Sequence, residues 1–481
     1  MLQAILYVGV FLVTMAVFAR VRQHTPRQWT LLVASYILYL TWIKWFAAVL
    51  LLSTLVNYLV GQRLRRRPTW PALIGGIVFN LALLCSFKYL PELAISMPLS
   101  SLQAFAHLAL PVGLSFWTFQ AMSYLFDLYR EEELDPSLVE FALYLAFFPV
   151  TISGPVCRMP DMLPQFRSEA VVKASDRERG FSRIATGILM MQLGKLLGQG
   201  VLAGDGINSG FDRLLRWSGP DAWCLAIGFG LQLFFDFAGY THIAIGAAQM
   251  LGIVVPENFD RPFASQTPSV FWTRWHMSLS FWIRDYVFLP LAMLRREMIW
   301  RNLVLIFAMV LFGLWHKASL LFVIWGCYHG VLLVMHRQIQ QLQKKFDFTP
   351  ATATWPAISW LTTMAFISLG WIFFRANSLA EAGAMLSAVT SPSSYFVHYL
   401  SGSLYCLILA LAAGYAAVLL VGESLNRHGD DIPSTTPGVM AMLAQRRWYW
   451  LPPLYVLFLA LVLMVTLTQS ASTAQFMYRA F

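Results

Sequence analysis

The chain has 481 residues, of which 58% are hydrophobic, 15% aromatic and only 12% charged. Soluble domains are about 45–50% apolar and about 25% charged, so this composition excludes an ordinary soluble enzyme, a disordered tail, a coiled coil and a disulfide-stapled mini-protein, and predicts a polytopic membrane protein. The net charge of +10, from 34 Lys and Arg against 24 Asp and Glu, fits basic cytoplasmic loops between spans; with no recognition module present, no nucleic acid is expected as a partner.

A spanning helix needs about 20 mainly apolar residues. Residues 2–19 have no basic leader and no small-residue cleavage site, so they read as a retained first span. The next apolar stretch, residues 29–60, would be about 48 Å long as one helix against a hydrocarbon core of about 30 Å. Its flanks carry Arg20, Arg22 and Arg27 on one side and Arg63, Arg65, Arg66 and Arg67 on the other. Both flanks belong in the cytoplasm, so an even number of passes joins them. A helical hairpin turning near Trp42-Ile43-Lys44-Trp45 satisfies this and puts the N-terminus outside. Further candidate spans follow at 71–90, 111–126, 138–156, 181–203, 222–252, 300–316, 319–336, 357–374, 403–421 and 450–469, giving about 11–13 hydrophobic segments with some re-entrant. The acidic stretch 127–135 (DLYREEELD) is compatible with the outer face, and the polar stretch 422–449 reads as a surface loop. Cys85, Cys157, Cys224, Cys327 and Cys406 are scattered, with no CxxC, and read as small apolar residues.

Residues 256–301 break the span pattern with six Arg (261, 274, 284, 295, 296 and 301) and with Glu257, Asp260, Asp285 and Glu297. Within them Phe271, Trp275, Leu279, Trp282 and Tyr286 recur at the spacing of one helical stripe. Thr267-Pro268-Ser269 suits its start and Pro290 its end. The pattern predicts one amphipathic helix on or dipping into the membrane, with His276, Ser280 and Arg284 on its polar face toward a cavity.

Of the nine His, four cluster in the second half as candidates: His242, His276, His316 and His329. His316 ends the apolar run LVLIFAMVLFGLW, and an intramembrane ionisable group is a functional candidate because it is costly there. Imidazole also suits proton transfer near neutral pH. The bland alternative, a core His bonded to a carbonyl, stays open for His316 and more so for His329. His242 and Asp236 share an apolar segment, but a spacing of six does not put them on one helix face. No HExxH, HxxxH, paired Cys/His motif, GxSxG elbow or P-loop occurs, so no metal site, covalent serine mechanism or ATP-driven pump is expected.

The runs PVGLSFWTFQAMSYLFDLYR (111–130), FFPVTISGPVCR (147–158), LQLFFDFAGYTHIAIG (231–246), PENFDRPF (256–263), FWTRWHMSLSFWIRDYVFLPL (271–291), LFGLWH (311–316) and WGCYHG (325–330) resemble, in order, the membrane-bound O-acyltransferase family. SLGWIFFRANSLAEA (368–382) is more similar to the branch that O-acetylates alginate and other bacterial polysaccharides. The resemblance implies an all-α membrane protein around a transbilayer tunnel, with N-terminal helices over 1–110, a catalytic core over 111–385 and C-terminal helices over 386–481. It implies that His316 is the essential histidine and that His276 lies in a second histidine-bearing motif. Arg274, Ser278, Ser280, Arg284, Asp285, Asp236 and His329 then become candidate substrate contacts. The expected donor is an acyl thioester, acetyl-CoA or an acyl carrier protein, with no tightly bound cofactor. The expected setting is the bacterial inner membrane, beside a periplasmic acetyltransferase and the polysaccharide synthesis and export machinery. Transfer of D-alanyl or another acyl group from a carrier protein, a transporter or flippase, and a non-catalytic scaffold are the rival readings. Three positions depart from the family pattern: Lys317 where relatives carry Gly, His242 where they carry Asp, and Pro290-Leu291-Ala292-Met293-Leu294 in place of a PLGGN-like run.

Overall fold

The computed structural model describes residues 2–42, 44–96, 108–201, 204–213, 216–347 and 354–430. Among these there is no β-strand. The helices in chain order are α1 (Leu2–Arg20), α2 (His24–Leu40), α3 (Lys44–Arg66), α4 (Trp70–Lys88), α5 (Leu90–Ser96), α6 (Leu114–Tyr129), α7 (Leu138–Ala146), α8 (Met159–Phe166), α9 (Ala174–Gln199), α10 (Ile207–Arg213), α11 (Gly219–Met250), α12 (Pro268–Trp272), α13 (Met277–Ile283), α14 (Leu289–Met293), α15 (Met298–His316), α16 (Leu320–Lys345), α17 (Trp355–Arg375), α18 (Leu379–Thr390) and α19 (Gly402–Asp430). Seven are long and apolar enough to cross a membrane: α3, α4, α11, α15, α16, α17 and the 402–420 part of α19. The protein is a multi-pass helical membrane protein. The apolar stretch of α11 is 83% buried, whereas the other six bury a third or less of theirs. A helix that is apolar all round belongs inside the protein, and helices with exposed apolar faces belong against lipid.

The structure departs from several sequence expectations. The hairpin predicted within 29–60 is present, with α2 ending at Leu40 and α3 starting at Lys44. The predicted span at 138–156 is instead the nine-residue α7 followed by irregular backbone. Pro149 explains the stop, since the residue before a proline is pushed out of the helical region. Residues 422–430, expected in a loop, continue α19. The rest of that stretch, 431–449, and the predicted span 450–469 lie outside the described residues.

The chain divides into two compact units, one formed by residues 1–187, 240–260 and 272–308 and the other by 188–239, 261–271 and the residues from 309 onward. In the first unit α3 and α4 are joined by reciprocal amide hydrogen bonds: Asn80 Nδ2 donates to Asn57 Oδ1 at 2.6 Å, and Asn57 Nδ2 to Asn80 Oδ1 at 3.2 Å. Both side chains are fully buried, and each satisfies a polar group that lipid cannot. Helix α6 starts after Gly113, whose φ is 79°; a Cβ there would run into the carbonyl of Thr151, so only glycine fits. At the other end of α6, the ring of Tyr129 sits 6.0 Å from that of Trp70, the first residue of α4. The acidic stretch 127–135 therefore lies at the same end as Arg63–Arg67, the cytoplasmic end by the charge rule, and not on the outer face as its composition suggested. Acidic residues weigh little in that rule, and α6 is the return pass.

At this end Glu140 clamps three helices. Its carboxylate accepts from Arg167 Nε at 2.8 Å and Arg167 Nη2 at 3.0 Å, from Gln28 Nε2 at 3.2 Å, and from the Ser137 backbone N–H at 2.8 Å as half of a capping box on α7. The Glu140 bond is the main reason that Arg167 is held above the ordinary guanidinium range. In the second unit Asp221, fully buried in the first turn of α11, accepts from the Ser218 hydroxyl (2.6 Å), the Tyr405 hydroxyl (2.7 Å) and the backbone N–H groups of Tyr399 and Leu400. A carboxylate at a helix N-terminus is favourable to the helix dipole, and this one also pins the start of α19.

Candidate functional site

The best candidate for chemistry in the second unit is His316, the last residue of α15 and only 6% exposed. It sits where it does because two glycines let α15 and α16 approach closely. A Cβ at Gly313 would meet the Phe322 carbonyl, and one at Gly326 would come within 2.5 Å of the Met309 carbonyl. The close crossing builds an aromatic enclosure. Phe312, one turn earlier, stacks on the imidazole at 5.5 Å and 14°. Trp315 is at 4.7 Å, Phe374 of α17 is edge-on at 5.0 Å, Trp325 at 5.9 Å and Phe322 at 6.0 Å. A ring held on several sides has little rotational freedom. Lys317, the departure from the family pattern, is exposed.

His329, fully buried on α16, joins the same cluster through Trp325, whose ring lies 4.9 Å from it and edge-on to both imidazoles. The room for His329 comes from Gly370 on α17, where a Cβ would collide with its Nε2. Asp236 has different neighbours: Gly194 and Lys195 of α9 approach its carboxylate.

The stripe expected on one amphipathic helix is buried as predicted, with Phe271 and Leu279 at 0% exposure and Trp275, Trp282 and Tyr286 at 5%. The helix itself is not continuous. It breaks at residues 273–276, where Trp275 forms an isolated antiparallel bridge with Phe259, and it resumes as α13 after His276 in a left-handed conformation with φ 45°. The backbone N–H of Asp260 bonds the Arg274 carbonyl (3.1 Å) and that of Met277 bonds the Asn258 carbonyl (2.9 Å). Paired to 258–260, the chain cannot stay helical there, and the expected polar face is dispersed. His276 is 1% exposed, and its burial pushes the imidazole pKa down to about 3. Ser278 donates to Asn258 Oδ1 (2.5 Å) and accepts from the Val156 N–H (3.0 Å); Ser280 donates to the Trp275 carbonyl (3.0 Å). Arg274 is half-buried in the break, and Arg284 is exposed over the Phe281 ring. His242 lies near Arg183, whose guanidinium forms a bidentate pair with Glu257 at 2.6 and 2.7 Å.

After α13 the backbone widens into a π-turn at Arg284–Phe288, a distortion often found at functional sites. Asp285 here accepts from Arg158 Nη2 at 2.6 Å and Arg284 Nε at 2.6 Å, while its carbonyl accepts from Arg130 Nη2 at 2.9 Å. Burial alone would raise the Asp285 pKa, but the bonds from Arg284 and Arg158 outweigh it and hold the carboxyl below the usual range. Arg130 and Arg158 both lie over the Tyr286 ring, at 5.3 and 5.2 Å, and the Tyr286 hydroxyl donates to Asp127 at 2.8 Å. Asp127, Arg130, Arg158, Asp285 and Tyr286, with Asp161, line a cleft of about 660 Å³ at the cytoplasmic end. Among them the sequence singled out Asp285 as a candidate contact and Tyr286 as part of the apolar stripe; for Arg130 and Arg158, charged residues ending apolar runs, in DLYR and PVCR, were the available signal.

The family model for the membrane-bound O-acyltransferases matches residues 37–379, which contain all of these groups. The chain is 33% identical over 433 residues to a Pseudomonas putida protein named probable alginate O-acetylase, with 85% of each chain covered. It is 30% identical over 414 residues to the peptidoglycan O-acetyltransferase of Helicobacter pylori, covering 78% of this chain and 76% of that one. It is also 30% identical over 276 residues to the teichoic acid D-alanyltransferase of Bacillus subtilis, covering 55% of this chain and 68% of that one.

Proposed function

The chain belongs to the membrane-bound O-acyltransferase family, and from that premise we propose that it moves an acetyl group from a cytoplasmic thioester across the membrane toward the hydroxyls of an extracytoplasmic polysaccharide. The bacterial inner membrane is the setting in which a cytoplasmic donor and an outer acceptor both have access. Acetyl-CoA or an acylated carrier protein supplies the thioester, and a periplasmic acetyltransferase working with the polymer's synthesis and export machinery completes delivery. The polysaccharide O-acetylase relative aligns over 85% of this chain and the D-alanyltransferase over 55%, which favours acetyl over D-alanyl.

The observation that carries the reading is the buried, ring-enclosed imidazole of His316 at the end of α15. As general base it takes the proton of the acceptor hydroxyl while that oxygen attacks the thioester carbonyl. The tetrahedral oxyanion collapses, the carbon–sulfur bond breaks, and the imidazolium returns its proton to the departing thiolate. One ester and one thiol replace one hydroxyl and one thioester, so no redox partner is needed. In the first unit His276 is a second candidate histidine, and Arg274 and Arg284 contact the anionic carrier of the acyl group. His329 and Trp325 hold His316 in place. Ser278 and Ser280, with hydroxyls engaged by Asn258 and Trp275, maintain the broken helix.

The test is the O-acetyl content of surface polysaccharide in a deletion strain complemented with wild type, His316→Ala or His276→Ala at equal membrane levels. Loss of a general base lowers rate about 10²–10⁴-fold, so His316→Ala should leave no measurable ester. Full acetylation with that variant overturns the assignment and favours a transporter or scaffold.

A further inference from the structure

Helices α16 and α17 diverge to leave an apolar groove of about 640 Å³, within the range of about 300–1,000 Å³ typical of small-ligand sites. The row Ile324, Tyr328, Val331, Met335, Ile339 and Gln343 forms one wall, and α17 with the start of α12 forms the other. The polar atoms halfway along are already engaged. Ser359 and Thr363 both donate to the Gln266 carbonyl, at 2.6 and 2.9 Å, and Tyr328 donates to the Phe366 carbonyl at 2.7 Å. His336 differs. Its Nε2 is buried in the groove wall, and no hydrogen-bond partner for it occurs among the described residues.

The groove is also polar at one end only. Gln340 and Gln343 follow His336, and Lys344 continues the row one turn beyond Gln340. Lys344 and Lys345 are exposed, Arg337 stands nearby, and α16 contains no Asp or Glu. No acidic residue lines the groove. By the charge rule this is the cytoplasmic end. From His336 to Ile324 the groove runs about 18 Å along α16, close to the depth of one leaflet of a hydrocarbon core about 30 Å thick.

We propose that this groove seats one anionic glycerophospholipid of the cytoplasmic leaflet, its phosphate beside Lys344 and Lys345, its ester carbonyl accepting from His336, and an acyl chain along the apolar wall. The charge at the mouth selects the headgroup, because basic pockets between helices on the cytoplasmic side favour anionic lipids by about 1 kcal/mol per Lys or Arg. The site is separate in residues from the acyl-transfer assignment and does not depend on it.

The experiment uses the full chain in phosphatidylcholine nanodiscs doped with a phosphatidylglycerol carrying a photoactivatable acyl chain. Cross-linked peptides are mapped by mass spectrometry. Label should concentrate on 324–343 and 355–373 and should be displaced by unlabelled phosphatidylglycerol but not by phosphatidylcholine. Lys344→Gln should weaken that competition about fivefold, the ratio corresponding to about 1 kcal/mol. Val331→Trp, which fills the groove from an exposed helical position, should abolish label while the protein still elutes as a single species. Equal labelling by a matched phosphatidylcholine probe, displacement unaffected by Lys344→Gln, or label outside these two helices would each overturn the proposal and leave only unselective boundary lipid.

Discussion

Asp285→Asn tests whether the π-turn depends on its charge network. The substitution keeps the side-chain size but removes the charge facing Arg158 and Arg284. The side chains of the Arg158–Asp285 pair are 29% and 17% exposed. The pair is too shielded to resemble a surface bridge worth about 0–1 kcal/mol, and too open to cost the roughly 3–5 kcal/mol of breaking a fully buried one, so a loss of about 2 kcal/mol is expected. Arg284 adds little, being 52% exposed. The assay is equilibrium unfolding in mixed micelles of the wild type, Asp285→Asn, Arg158→Gln and the double variant. If the two groups stabilise the fold through each other, the double variant costs less than the sum of the singles by about 1–1.5 kcal/mol, whereas independent groups add within about 0.3–0.5 kcal/mol. Additivity would refute the network and leave the 2.6 Å contact as an energetically idle feature.

The same carboxylate sets a pH dependence. Its folded pKa is depressed, so its stabilisation is fully present above the unfolded value of about 4 and is lost as pH falls through the lower folded value. Acid titration of stability should therefore be steeper below about pH 4 for wild type than for Asp285→Asn; equal slopes would contradict it. Gly370→Ala places a methyl against the His329 ring and 3.3 Å from Tyr328, and overpacking of this kind costs about 1–3 kcal/mol. An unchanged melting temperature would mean that His329 can move aside. Asn57→Leu strands one side of the Asn80 amide within the membrane and should cost about 0.6–1.7 kcal/mol, with partial recovery in Asn57→Leu/Asn80→Leu. No recovery in SDS unfolding would show that the amide pair is not the source of the effect.

The membrane class and the α2–α3 hairpin were legible because each rests on a sum over many residues: composition in one case, length against bilayer thickness in the other. The misplaced stretch 127–135 rested on a sparse signal, five acids, where no term in the energetics of orientation is strong. A single contact, Tyr129 against Trp70, shows its side. The predicted span 138–156 failed for a related reason: hydropathy averages over a window, but Pro149 acts at one peptide bond. Buried irregular backbone can be as apolar as a spanning helix, and residues 147–157 are.

The amphipathic stripe shows why burial was easier to read than geometry. Phe271, Trp275, Leu279, Trp282 and Tyr286 are all interior, so the hydrophobic pattern was correct residue by residue. Yet the i, i+4 spacing that placed His276, Ser280 and Arg284 on one face assumed an unbroken helix, and the strand-like pairing of 274–277 with 258–260 removes that assumption. Such pairing joins segments that a local pattern cannot connect. The surroundings of His316 were hidden for the same reason: Phe312 and Trp315 are local, but Phe374 comes from α17, and its approach depends on two crossings. Gly313 and Gly326 permit the first by sparing the carbonyls of Phe322 and Met309, and Gly370 permits the second by sparing His329. Glycines inside apolar helices were thus the sequence signal for the site's shape. Their meaning appears only once the atom that a Cβ would strike is known, so substitution at Gly313 should disturb His316 without touching it.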